Sequence, residues 1–167
     1  MSNYGSVNEC ESPQQVGQLL ETLESDVARQ IARARFQLNT IISETLNAFG
    51  QEIPESNGLK STPKIAITKD GLQYEFWLEE RYKRHVGDNQ IKQTVLYVLP
   101  EDDTEGYEML TVEGETLTDV NEDEIDDVKD IDNISKVLDF LKEKLGKAEQ
   151  SGSIVYSTKF ELNLPQT

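Results

Sequence analysis

From Val16 the chain places apolar or near-apolar residues at Leu20, Leu23, Val27, Ile31, Ala34, Leu38, Ile41 and Thr45, in steps of three and four throughout. Such spacing puts them on one face of a helix. Ser12-Pro13 is a good start, because proline at the first helical position gives up no useful hydrogen bond. Gly50, after Phe49, is the expected stop. A helix over 13–50 would be about 54 Å long, more than a small domain needs. Either it breaks, near Asn39-Thr40, or its surplus stripe is buried against another chain. Two consecutive steps of four resemble a stutter and argue against a strict coiled coil. The expectation is a homo-oligomer, with Leu20, Leu23, Val27, Ile31, Leu38 and Ile41 carrying self-association.

What surrounds this helix divides readily. Residues 1–12 are polar and aperiodic and read as a disordered tail. Residues 51–63, "QEIPESNGLKSTP", read as a linker, with two prolines, an Asn-Gly and no period. Residues 64–167 read as an α+β domain that opens with the clearest local signal in the chain. In "KIAITKDGLQYEFWLEERY", Asp70-Gly71 can supply the positive φ angles of a tight hairpin turn. Leu72, Tyr74, Phe76 and Leu78 then share one face. Gln73, Glu75 and Glu79 lie opposite with Trp77, expected to be half-exposed or covered by another element, a helix above all.

The run "IKQTVLYVL" is apolar on both faces near its end, as a central strand is. A weaker strand, "YEMLTVEG", follows. A second helix, "ISKVLDFLKEKLG", is expected to start at Asp132 or Asn133 and stop at Gly146. It turns Ile134, Val137, Leu138, Leu141 and Leu145 to one side, with Phe140 beside them. The alternation from Ile154 to Asn163 predicts a last strand. The fold class is therefore α+β: a long N-terminal helix, an antiparallel meander of three to four strands, a second helix, and a C-terminal strand returning to the sheet.

The net charge of −16 is unevenly placed. Between Glu101 and Asp132 fifteen acids stand against Lys129 alone, and the rest of the chain is nearly neutral. Residues 101–132 read as an acidic, mobile insert. Asp119, Glu122, Asp123, Asp126 and Asp127 are the expected acidic surface for a basic partner.

Within that insert "DVNEDEIDDVKD" spaces its acids like a calcium loop. The sixth position, which needs glycine for the turn, is Glu124. The twelfth, which needs glutamate, is Asp130, and no good helix precedes the loop. No metal site is expected. His85 is the single histidine and Cys10 the single cysteine, too few for zinc ligation or an internal disulfide. No G-x-S-x-G or Walker sequence occurs, so neither catalytic residues nor a cofactor are expected.

The cluster "RYKRH", with Arg81, Lys83 and Arg84, is better suited to solvating a hairpin end or pairing with the acidic segment than to phosphate, given the overall charge. Direct nucleic-acid binding is not expected. No run of about 18 apolar residues is present and the start lacks a secretory pattern, so no membrane contact and a cytoplasmic location are expected. The function expected is that of a non-enzymatic protein-interaction module, an adaptor or chaperone-like protein. The alternatives are a nucleic-acid-mimicking inhibitor and a carboxylate-dependent hydrolase.

Overall fold

The computed structural model describes residues 13–84, 90–151 and 156–157. Helix α1 spans Pro13–Phe49 without a break. Of the two alternatives, a break near Asn39-Thr40 does not occur, and the Thr40 hydroxyl donates to Phe36 O at 2.8 Å within the continuous helix. The helix ends where Gly50 N donates to Leu46 O at 2.8 Å. A Cβ at Gly50 would stand 2.4 Å from that carbonyl oxygen, so glycine is required by close backbone approach.

The segment read as a linker is tied into the sheet. Strands β1 (Gln51–Glu52) and β2 (Lys60–Ser61) pair antiparallel, and β2 joins β4 (Leu72–Arg84) at Ser61 and Glu79. Thr62 secures the junction: its N–H donates to Leu78 O, and its Oγ1 accepts from Leu78 N. Glu80, buried at the same end of β4, accepts from Lys60 N at 2.9 Å and pairs with Lys92 Nζ at 2.6 Å.

Strand β3 (Ile65–Lys69) turns into β4 through Asp70 and Gly71, with φ of 53° and 79°. Both angles are positive, as a type I′ turn requires. Strand β5 (Gln90–Pro100) pairs with β4 from Tyr74–Pro100 to Arg84–Gln90 and lies between β4 and β6 (Tyr107–Glu113). An irregularity at Leu96/Tyr97 shifts the β6 register from Leu110 to Glu108. The extra residue lets Met109 and Leu110 both be buried. Strand β7 (Thr116–Thr118) follows, joined to β6 through Gly114 at φ 59°. Among the described residues the antiparallel sheet has seven strands. An eighth, β8 (Tyr156–Ser157), joins parallel to β3 at Ala66 and Ile67. The rest of the expected Ile154–Asn163 strand lies outside the described residues.

Helix α2 spans Val128–Ser151, starting earlier and ending later than its stripe indicated. Asp127 caps it: Oδ1 accepts from Lys129 N at 2.8 Å, and its carbonyl accepts the first helical bond from Ile131. Gly146 does not stop the helix. A Cβ there would meet Phe49 Cζ at an ordinary 3.6 Å.

One core joins the two layers. Phe76, Leu78, Leu96, Val98, Leu110 and Leu117 from the sheet meet Leu38, Ile42 and Leu46 of α1 and the Ile134–Leu145 stripe of α2. Arg35 reaches Glu124, Glu44 reaches Lys142, and Phe49 lies by Gly146. These contacts advance together along both helices, so α1 and α2 run in the same direction. Every residue from Glu21 to Gln30 is exposed, and packing of α1 against the core starts at Ile31 and Ala34.

Candidate interaction site

The surplus half of α1 is the feature the packing leaves unused. Leu23 and Val27 are each 53% exposed, and with Ala28 and Ile31 they line a shallow apolar depression of about 360 Å³. They lie on the same stripe that, further along, becomes core. Ala34 and Leu38 are buried by the chain itself.

That continuity corrects part of the expected self-association set. Leu38 is 0% exposed and Ile41 packs against the core, so neither is available to a second chain. Ile31 sits half-buried where the arm leaves the body. Leu23 and Val27 stand free in the chain, while the Leu20 side chain is outside the described residues. Phe36, 71% exposed, was missed because it lies off the stripe, on the opposite side of the helix.

The acidic segment is not an appended insert. Residues 101–132 supply β6 and β7, and Met109, Leu110, Leu117, Ile125 and Ile131 are buried core. The polar residues that hid this pattern are largely turn chemistry. Asp119 Oδ1 accepts from Asn121 N at 2.8 Å and Asp123 N at 3.0 Å, while Asp119 N donates to Asp123 O. Glu122 closes the turn at φ 64°. The apparent calcium loop is thus a tight turn that uses its first carboxylate internally. Among the described residues no group of three His, Cys, Asp or Glu is placed to hold a metal ion. Of the five acids expected to face a partner, Asp119 is half-buried in its turn, and Asp127 is exposed while also capping α2. Glu122, Asp123 and Asp126 are exposed.

A second concavity lies on the sheet face turned away from the helices, about 560 Å³ and lined by Arg81, Lys83, Gln93, Glu108, Glu113, Asp119 and their threonine neighbours. Arg81 is its hub. Its Nε donates to Gln93 Oε1 at 2.9 Å, and its terminal nitrogen donates to Tyr97 OH and to Glu108 Oε1. Gln93 passes the network on to Glu113, which Lys83 Nζ approaches at 3.9 Å. Arg81 and Lys83 of the basic cluster therefore pair with acids of the 101–132 segment. Burial works to lower the Arg81 pKa, but Glu108 and Tyr97 together hold it above its usual value. Burial also raises Tyr97, outweighing Arg81.

Trp77, expected half-exposed or, above all, beneath a helix, is half-exposed on this outer face. It stacks on Tyr97 at 5.3 Å, with Lys64 Nζ 4.5 Å above its ring. Alternation explains this: Phe76 and Leu78 already face the helices. Glu108, Glu113 and Asp119 are engaged by a cation, an amide or their own turn, while Glu122 at the rim is exposed. His85 and Cys10 lie outside the described residues.

Among the described residues no helix is long and apolar enough to cross a membrane. No protein-family model, curated protein or solved structure matches this chain.

Proposed function

We propose that the chain is a non-enzymatic protein-interaction module of adaptor or chaperone-like character, self-associating through the N-terminal half of α1. The observation that carries this reading is the exposed arm Glu21–Gln30, whose Leu23 and Val27 continue a core stripe beyond the body that would cover it. A helix this long and this exposed gains little from its own chain. Most helical stability in proteins comes from burying an apolar face, and isolated segments of this length are marginal in water. Glu122, Asp123 and Asp126 add an exposed negative rim that favours encounter with a basic protein surface.

Light scattering of the full chain across a concentration series tests this reading. The mean mass should rise from monomer towards dimer as concentration increases. Leu23→Glu and Val27→Glu, both on exposed positions, should hold it at monomer without changing thermal stability. A monomer at every concentration up to several hundred micromolar would refute self-association.

A further inference from the structure

From the way the body covers the stripe, we infer that the occupant of the arm is the arm of a second copy, antiparallel, centred between Glu21 and Thr22. This rests on the self-association reading and specifies its geometry.

The body sets the first limit. Ala34 and Leu38 are sealed by the chain's own core, so a partner helix can follow the stripe only between Pro13 and Ile31. A parallel second copy would bring its own body onto the same side at the same level, in the space the first body fills. An antiparallel copy places the two bodies at opposite ends. Its arm matches that stretch from Pro13 to Ile31 in length, 18 helical rises or about 27 Å at 1.5 Å per residue.

The spacing sets the second limit. Along that stretch helical period puts Val16, Leu20, Leu23 and Val27 on the stripe, in steps of four, three and four. That series reads the same in both directions. Turned about its midpoint it sets position 20 opposite 23 and position 16 opposite 27, and each copy's depression beside Leu23 and Val27 receives apolar positions of the other. Centring the pair on Val27 would also match the stripe and would oppose Glu21 to Arg33. That register needs the sealed Ala34 and Leu38, so the structure excludes it.

Interface size sets the expected strength. Ordinary interfaces bury about 800 Å² per partner with about 20–30 residues a side. Eight to ten facing residues on this arm correspond to roughly 300–400 Å² per copy, short of the roughly 1,000 Å² total of a stable interface, so the dimer is weak and transient. The register also lines Glu21 and Glu24 of both copies along one flank, so salt should tighten the dimer by screening like charges.

The test is the full chain carrying Cys10→Ser, with a spin label at one position at a time: Thr22→Cys, Ser25→Cys or Arg29→Cys. All three sites are exposed and lie off the stripe. Distances between the copies should lengthen in the order 22, 25, 29. The labels at 29 should be about 21 Å further apart along the axis than those at 22. The dimer Kd should fall several-fold from low salt to 0.5 M, and Val27→Glu should raise it about tenfold or more. Equal distances at all three sites would overturn the antiparallel arrangement, and a minimum near 27 would overturn the register. Either result, in a protein that still dimerises, leaves the self-association reading standing. A monomer under all conditions would remove both.

Discussion

Asp127 and Asp126 are neighbours of identical chemistry with different work. Both are exposed, but Asp127 alone accepts from Lys129 N at the start of α2. Asp127→Ala should cost about 1 kcal/mol of stability through loss of the cap. Asp126→Ala should stay within about 0.5 kcal/mol. Urea denaturation of both variants checks the contrast.

Tyr107 makes a prediction about alkaline pH. Burial first, then Tyr74 and Asp103, push its pKa up to about 12. A raised folded value means the neutral form is favoured in the native state. Its stabilisation is present in full below the ordinary tyrosine pKa of about 10 and is lost as pH rises towards 12. Thermal melts should fall across that window, and Tyr107→Phe should flatten the decline.

At this scale the sequence misled where one letter has several uses. An acid in a run of acids carries no mark to show whether it caps a helix, closes a turn or faces solvent. Asp119, Asp127 and Glu108 were therefore grouped with residues they do not resemble structurally. The pairing of Arg81 and Lys83 with that segment was legible from charge alone, though not which carboxylates they would choose.

The helices separate positions that the sequence treats alike. Leu23 and Leu38 belong to one stripe, yet one is exposed and the other sealed. Leu38→Ala should cost about 2–5 kcal/mol by leaving a core cavity, whereas Leu23→Ala should leave monomer stability nearly unchanged. Gly146→Ala should stabilise α2 by about 0.5–1 kcal/mol, since the new methyl meets Phe49 at contact distance inside a continuous helix. Chemical denaturation of dilute samples reads all three.

Period and turn chemistry made much of the element order legible: α1 with its stop at Gly50, the Asp70-Gly71 hairpin, the two-sided β5 and the buried face of α2. Three features were not. Strand β7 is too short for a periodic signal, and the extra residue at Met109 breaks alternation where a count depends on it. The small β1–β2 hairpin is held by Thr62 and Glu80, contacts to a strand distant in sequence that no local window contains.

Across the whole molecule, charge and architecture are less separate than the sequence indicated. The acidic segment builds the edge of the sheet and the entry to α2, so its carboxylates sit on a folded frame. What extends from that frame is the first half of α1. A two-layer body covers the helix from Ile31 onwards and leaves Glu21 to Gln30 bare. From the sequence, the length of the stripe indicated a surplus. Which part was surplus depended on where α2 begins, and Asp127 sets that point.

Hydrogen exchange across α1, measured on the intact chain at several concentrations, tests the central claim most directly. A bare helical arm frays, and its amides exchange fast. If a second copy covers it, protection over residues 13–30 should rise with concentration and vanish in Val27→Glu, while residues 34–49 stay protected throughout. Exchange in 13–30 that is independent of concentration and unaffected by Val27→Glu would contradict the account.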